Sequence, residues 1–270
     1  MSGRAPVRRP VLKVLAVAVV ASVWLPAFQA REGARAAYRF ARVVDLTHAL
    51  SEDTPFIPVP GITFPFKKMP IATVSKNGVA ASRWEIHEHI GTQIDAPSHF
   101  FEKGLSLERL PVASLVVPLA VIDISTRVST NPDTSVTVAD IEAWERRHGR
   151  IPEHAAVFMR SGWDSRIEDA RAFINADSSR AMHFPGFSAE AAAFLARSRD
   201  VSGIGVDTLS LDPGLDTTYA AHKAWLAAGK WGVELVASLR DVPPTGATVF
   251  VGASKVTGAT GGPVRLIAVW

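Results

Sequence analysis

Residues 87–100 read HEHIGTQIDAPSHF, a stretch that holds three histidines and one aspartate. Candidate metal donors fall at His89, Gln93, Asp95 and His99. Residues 93 and 95 face the same side of an extended segment, because side chains alternate along a strand. Two imidazoles and a carboxylate suit zinc or manganese. The stretch therefore predicts a metal site; the alternative is solvated histidines and an Asp95 turn before Ala-Pro.

The segments around this stretch predict the fold class. Short runs rich in β-branched residues alternate with two helical segments, residues 137–148 and 189–199, which Thr137 and Ser188 cap. With no repeat or low-complexity linker, this alternation predicts one α/β layered domain over residues 37–270, with helices packed on a mixed β-sheet. The predicted strands cover residues 43–48, 114–125, 155–162, 202–208, 247–256 and 264–270.

The amino-acid composition limits the kinds of functional site that the chain can contain. The chain has 270 residues, of which 47% are hydrophobic and 20% are charged, so it can bury a full core and is not a disordered chain. Cysteine is absent, which excludes disulfides, thiolate zinc sites, iron–sulfur clusters and a thiol nucleophile. No G-x-S-x-G nucleophile elbow occurs. Any metal must therefore bind histidine, carboxylate or amide groups.

The N-terminal residues 1–36 predict an export signal. Four basic residues precede the apolar run 14–28, and RRPVLK resembles a twin-arginine signal. Cleavage is expected near residue 30 or 36. Removing residues 1–30 leaves 25 basic and 26 acidic residues, so the processed chain is nearly neutral. Its charge therefore gives no support for a nucleic-acid partner. We expect an exported, periplasmic or secreted protein without stable membrane insertion after processing.

The motif H89-I-G-T-Q-I-D95-A-P-S-H99-F resembles the signature H-x-G-T-H-x-D-x-P-x-H-F of the cyclase-like metal hydrolases, the family of bacterial kynurenine formamidase and isatin hydrolase. Further blocks in the same order resemble this family: VVDLTHALSEDTP, HFPGFSAEAAAFL, GIGVDTLSLDPG and GGPVRLIAV. The spacing H222-x11-E234 is also similar. The resemblance implies a swivelling β/β/α fold, a small-molecule substrate and a homodimer or homotetramer.

The resemblance also implies residue roles. His89, Asp95, His222 and Glu234 would be metal ligands, and His99 would be the general base. Gln93 stands where many relatives carry histidine, so we expect it to be a weaker ligand. One divalent metal is therefore predicted, with manganese preferred and zinc as the alternative.

Substrate contacts are predicted at Phe56, Ile57 and His183. Ile57 stands where the formamidases carry a tryptophan, which weakens a specific assignment to N-formylkynurenine, and Phe56 would supply the apolar wall instead. Further aromatic wall candidates, each of which is more often a core residue, are Trp84, Phe100, Phe101, Trp163 and Phe184.

Other polar residues receive mainly structural interpretations. Asp207, Ser210 and Asp212 predict a hydrogen-bonded turn at a strand end rather than a catalytic set. His48 fits a structural and a substrate-facing role equally well. The remaining histidines are interpreted as surface residues: His87, His148 and His154.

These observations predict a metal-dependent hydrolase that opens a cyclic amide or ester, or cleaves an aryl-formamide. The alternative within enzymes is an arylformamidase of tryptophan breakdown. A non-catalytic metal- or ligand-binding protein of the cell envelope is the alternative from another class. His99 favours catalysis, since a binding protein needs no base beside its ion.

Overall fold

The computed structural model describes residue 3 and residues 40–270. The predicted export segment lies outside the described residues apart from residue 3, so it stays a prediction. None of the helices among the described residues combines the length and apolar character that a membrane span requires.

Twelve strands and six α-helices follow one another along residues 40–270. The strands are β1 (Val43–Asp45), β2 (Lys67–Ala72), β3 (Ala81–Glu85), β4 (Gln93–Asp95), β5 (Val116–Asp123), β6 (Ser135–Val136), β7 (Ala155–Arg160), β8 (Gly186–Phe187), β9 (Val201–Val206), β10 (Trp231–Glu234), β11 (Ala247–Ala253) and β12 (Gly261–Val269). The helices are α1 (Val74–Asn77), α2 (Ser125–Val128), α3 (Val138–His148), α4 (Ala170–Ile174), α5 (Ala189–Ser198) and α6 (Ala220–Leu226).

The main sheet has eight strands in the order β1-β12-β11-β5-β7-β9-β10-β4. Strand β12 also pairs with β4, so the sheet closes into a barrel-like ring, and β1 lies against the C-terminal part of β12. Strands β5, β7, β9 and β10 are parallel neighbours, whereas the other pairings in this sheet are antiparallel. The predicted mixed α/β domain is confirmed.

The two predicted helices form where their capping residues indicated. Thr137 accepts a hydrogen bond from the Asp140 amide at the start of α3, and the Asp140 side chain accepts one from the Thr137 amide, a capping box. Ser188 accepts a hydrogen bond from the Ala191 amide and begins α5. Both helices bury one apolar face, represented by Trp144 in α3 and Leu195 in α5.

Two hydrophobic cores lie on the two faces of the sheet. Along β7, Ala155, Val157 and Met159 join the core that includes residues of α3, α5 and α6, and the alternate residues Ala156 and Phe158 join the core inside the ring. Side chains alternate between the faces of a strand, so one apolar run supplies both cores. This explains why β7 reads as a continuous apolar segment.

The structure corrects several predicted elements. The first strand ends at Asp45 rather than at residue 48, and only an isolated bridge joins Thr47 to Val236. The last strand begins at Gly261, earlier than predicted. The sequence did not indicate β10, the hairpin β2–β3 or helix α6. Strand β10 has only four residues, two of which are Gly232 and Glu234, so neither alternation nor β-branched content marks it.

Candidate metal centre

Two short neighbouring strands place the motif carboxylate next to the distal glutamate. In the antiparallel pairing of β4 with β10, Gln93 lies opposite Glu234, and Asp95 lies opposite Gly232. On the other side of β4, Asp95 lies opposite Gly261 of β12. The two glycines put no side chain beside Asp95, and a Cβ on Gly261 would come within 2.5 Å of His89 Cε1. This space lets the His89 ring approach the strand.

Asp95 is the centre of the site and is fully buried. Its Oδ1 lies 2.8 Å from His89 Nδ1, and its Oδ2 lies 3.2 Å from His222 Nε2. Burial alone would raise the pKa of Asp95, but the hydrogen bonds with His222 and His89 hold that pKa below its usual range. Asp95 is therefore a carboxylate that can bind a cation.

His222, on helix α6, lies next to Asp95 and Glu234. Its Nδ1 is hydrogen-bonded to the Asp212 carboxylate, and its Nε2 lies 3.2 Å from both Asp95 Oδ2 and Glu234 Oε1. If Nδ1 carries the proton, the lone pair of Nε2 faces two carboxylates, which repel it unless a cation lies between them. Donor atoms of Asp95, His222 and Glu234 lie within 4.8 Å of one another, so this buried set fits a divalent metal ion.

The pKa values of His222 and Glu234 show that this buried acidic cluster favours added positive charge. Burial would lower the pKa of His222, yet the hydrogen bonds to Asp212, Asp95 and Glu234 raise that pKa well above its ordinary value. Burial, together with the negative charge of Asp95, raises the pKa of Glu234. Both shifts favour an added proton in this buried acidic cluster. A metal ion would supply the same positive charge and release the protons.

Gln93 contacts the cluster through its amide. Its Nε2 donates to Glu234 Oε2 at 2.6 Å, and its Oε1 is buried without a hydrogen-bond partner among residues 40–270. Glu234 Oε1 also accepts a hydrogen bond from the Leu211 amide at 3.0 Å. Gln93 thus orients Glu234, and its amide oxygen is the group left free for a weak contact to an ion.

His99 lies at the open edge of this cluster. Its ring stacks on His89 with centroids 3.7 Å apart, and it meets the Phe100 ring edge-on at 4.6 Å. The donor atoms of His89, Asp95 and His99 also lie within 4.8 Å of one another. Burial lowers the pKa of His99 to about 4, so its imidazole is neutral at pH 7, and the same shift makes it a weaker proton acceptor than an ordinary histidine.

His89 is hydrogen-bonded at both ring nitrogens in this structure. Its Nδ1 contacts Asp95, and its Nε2 lies 3.0 Å from the Thr260 hydroxyl oxygen. Thr260 in turn donates its hydroxyl to Glu88. To bind an ion, His89 would have to release one of these two contacts.

A cavity of about 570 Å³ opens beside this cluster, and His222, Glu234 and His99 line it, whereas Asp95 does not. Phe56 and Ile57, both predicted to contact substrate, line its apolar wall, and Phe100 lies beside the histidines. The prediction that His87 is a surface residue is wrong. His87 lines the cavity, and its ring packs edge-on against Phe56, which also lines it, and against Phe64, with centroids 5.8 and 5.3 Å apart.

His183 does not line this cavity. Its Nδ1 lies 2.9 Å from Asp133 Oδ1, and its Nε2 lies 3.5 Å from Asp177 Oδ2. The structure therefore places no substrate contact of this cavity on His183, because its ring nitrogens face the carboxylates of Asp133 and Asp177. His48 also lies outside the cavity lining, with its backbone amide donating to the Thr92 hydroxyl.

Most of the other aromatic candidates lie elsewhere. Trp163 and Phe184 are buried in the core that contacts the helices, whereas Trp84 and Phe101 are exposed. His154 is an exposed residue that pairs with Asp200, as its interpretation as a surface residue predicted. Of the five predicted aromatic wall residues, Phe100 alone lines the cavity.

The two aspartates of the turn at residues 207–212 have different roles. Asp207 accepts hydrogen bonds from the amides of Ser161 and Gly162, which is the structural role predicted for it. Asp212 orients the metal-side imidazole of His222, a role that the sequence interpretation missed. A carboxylate ten residues before a candidate ligand was the available signal, but only the fold shows that the two side chains meet.

Asp212→Asn is expected to weaken metal binding without emptying the site. An amide can still accept the Nδ1 proton, but it lacks the charge that makes the imidazole more basic, so affinity should fall roughly 10- to 100-fold. Metal titration of the purified variant measures this, with the exposed Asp241→Asn as the matched control. Unchanged affinity in Asp212→Asn would remove Asp212 from the metal centre.

This chain is similar in sequence to known proteins. A family model described as a putative cyclase matches residues 44–213. The isatin hydrolase of Roseibium aggregatum is 32% identical over 241 residues, which cover 84% of this chain and 90% of that protein. The kynurenine formamidase of Salinibacter ruber is 28% identical over 181 residues, covering 66% and 74% respectively.

Solved structures agree with the family match. An isatin hydrolase bound to the product analogue thioisatinate superposes on this chain with a TM-score of 0.81 at 30% identity, covering 85% of this chain and 92% of that one. The resemblance inferred from the H-x-G-T motif is confirmed. This chain belongs to the putative cyclase family of metal-dependent hydrolases.

Proposed function

We propose that this protein hydrolyses a carbon–nitrogen or ester bond of a small aromatic ring compound, with one divalent metal ion held by Asp95, His222 and Glu234. The observation that carries the proposal is the convergence of these three buried side chains, two of which, His222 and Glu234, line an aromatic-walled cavity. A cyclic amide such as isatin is the preferred substrate class, because the relatives named isatin hydrolase cover most of the chain.

The residues of the cavity divide the chemistry among them. A divalent ion held by Asp95, His222 and Glu234 would supply Lewis acidity, which makes a water more acidic and a carbonyl group more electrophilic. His99, which is neutral at pH 7, takes the proton of the attacking water and returns it to the leaving nitrogen or oxygen. Phe56 and Ile57 hold the aromatic ring of the substrate against the apolar wall.

Two alternative functions have support of their own. An arylformamidase activity is supported by the similarity to the kynurenine formamidase. Ile57 lines the cavity wall at the position where the family resemblance implied a tryptophan for such an activity. A metal-binding protein without activity would use the same donors. His99 argues against it, because a protein that only retains the ion needs no additional base beside Asp95, His222 and Glu234.

The metal is proposed to be a single manganese ion. Gln93 offers one amide oxygen where a second imidazole would support another zinc ion, and the donor set of two carboxylates and one imidazole is rich in oxygen. Two tightly bound ions per chain would mean that the group of His89, Asp95 and His99 binds a metal of its own.

A screen of purified protein tests the function and the metal together. We expect elemental analysis to give close to one metal per chain, manganese to support the highest activity, and isatin or a related lactam to be hydrolysed faster than N-formylkynurenine. A chelated sample is the control and should be inactive until metal is returned. Hydrolysis that persists after complete metal removal, or two zinc ions per chain with no gain from manganese, would contradict the proposal.

A further inference from the structure

Tyr219 has a backbone conformation that is unusual for its residue type. With φ 55° and ψ 46° it lies in the left-handed region, which is strained for a residue with a Cβ atom. It directly precedes helix α6, which carries His222, and it lines the cavity. Strain of this kind persists where the surrounding structure enforces it, and it is concentrated at functional sites.

The neighbouring turn holds this conformation on both sides. Asp216 accepts hydrogen bonds from the Thr218 amide at 2.7 Å, from the Thr218 hydroxyl at 2.6 Å and from the Ala220 amide at 3.1 Å. The residues before and after Tyr219 are thereby fixed to one carboxylate. The turn therefore fixes the direction in which the Tyr219 side chain leaves the backbone.

That direction puts the phenol ring at the metal end of the cavity. The Tyr219 ring lies 5.3 Å from the Phe100 ring, and it meets the His222 ring nearly edge-on at 6.0 Å. Phe100 itself packs against His99 and His222. Tyr219 therefore belongs to the aromatic group that surrounds the reacting centre, rather than to the apolar wall around Phe56.

The other hydroxyl groups of the cavity are less able to donate to a substrate. Thr63 donates to the Ile57 carbonyl oxygen at 2.9 Å, and Thr260 donates to Glu88 Oε2 at 2.6 Å. Ser210 is buried, and its oxygen accepts a hydrogen bond from the Asp212 amide. The Tyr219 hydroxyl has no hydrogen-bond partner within residues 40–270. It is the half-buried donor that remains free at the metal end.

We propose that the Tyr219 phenol donates a hydrogen bond to the oxygen of the scissile carbonyl, which makes Tyr219 a further catalytic residue of the hydrolysis proposed above. As His99 takes the proton of water, the new carbon–oxygen bond forms and the carbonyl π pair moves onto that oxygen. The Tyr219 hydrogen bond stabilises the resulting negative charge. When the pair returns, the carbon–nitrogen bond breaks, and the nitrogen receives the proton from His99.

Tyr219→Phe tests this role because it keeps the ring, its packing and the backbone conformation while it removes the donor. We expect kcat for the substrate that wild type hydrolyses best to fall about 10²-fold. Metal content and thermal midpoint should equal those of wild type, and KM should change much less than kcat. Ser210→Ala removes another hydroxyl that lines the cavity, one that is buried and engaged by the Asp212 amide, and is the matched comparison, for which a loss of no more than a few-fold is expected.

The outcomes separate this proposal from the proposed function. Failure of metal-loaded wild type to hydrolyse any lactam, lactone or aryl-formamide would contradict the proposed function. In that event, thioisatinate binding by wild type and by Tyr219→Phe decides the present proposal: weaker binding by the variant supports a contact to Tyr219, and equal binding or no binding by either overturns it. If wild type is active, a kcat of Tyr219→Phe within about twofold of wild type overturns the role of Tyr219 alone.

Discussion

Asp95→Ala is expected to abolish metal binding and hydrolysis together. Asp95 is fully buried and contacts both His89 and His222, so alanine removes the carboxylate that these two imidazoles share. Removing one member of a buried charged pair destabilises a fold by about 3–5 kcal/mol. The increase in thermal midpoint that added metal gives wild type should also disappear, because the ion no longer stabilises the folded state.

Elemental analysis after dialysis, followed by thermal unfolding with and without manganese, measures this result. The control is Asp200→Ala, which removes an exposed carboxylate paired with His154 on the surface. Exposed pairs of this kind contribute about 0–1 kcal/mol, so the control should retain metal, activity and most of its stability. Full metal occupancy in Asp95→Ala would show that the ion is held elsewhere.

His99→Ala is expected to retain its metal and lose turnover. General acid–base catalysis contributes roughly 10²- to 10⁴-fold, and turnover should fall by that factor if His99 is the base. The buried carboxylates and His222 remain in this variant, so metal content should stay near that of wild type, apart from a modest loss where His99 stacks on His89.

Single-turnover kinetics of the metal-loaded variant separate the chemical step from substrate binding. His154→Ala is the matched control, because it removes an exposed imidazole that is distant from the cavity lining. Near-normal turnover with full metal occupancy would reject His99 as the base. Glu234 would then be the next candidate, since His183 lies outside the cavity.

The parts of the fold that could be predicted are those whose signal is local. Strands β5, β7, β9 and β11 have at least six residues each and are mostly apolar, and helices α3 and α5 carry a capping residue with an apolar face. Strands β4 and β10 have three and four residues, so only their hydrogen-bonded pairing with adjacent strands of the ring makes them strands. Their pairing is what brings Gln93 next to Glu234.

The candidate site likewise contains residues that a local sequence signal indicated and residues that only the fold brings together. His89, Asp95 and His99 lie within one short motif, so their spacing alone indicated a metal site. His222 is 127 residues from Asp95 in sequence, and only the family resemblance linked the two before the structure was known. Asp212 lies in a resembling block ten residues before His222, but neither this signal nor any spacing assigned Asp212, His87 or Tyr219 a role in the site. Their roles depend on how a turn, a hairpin end and a helix start meet around one cavity.

Anomalous diffraction from crystals of the manganese-loaded protein tests the central claim most directly. The structure predicts one anomalous peak per chain, within coordination distance of a carboxylate oxygen of Asp95, Nε2 of His222 and a carboxylate oxygen of Glu234. Crystals of Asp95→Ala should show no such peak. A peak bound by other residues, or a second peak of equal height between His89 and His99, would contradict the single buried ion on which the proposed hydrolysis depends.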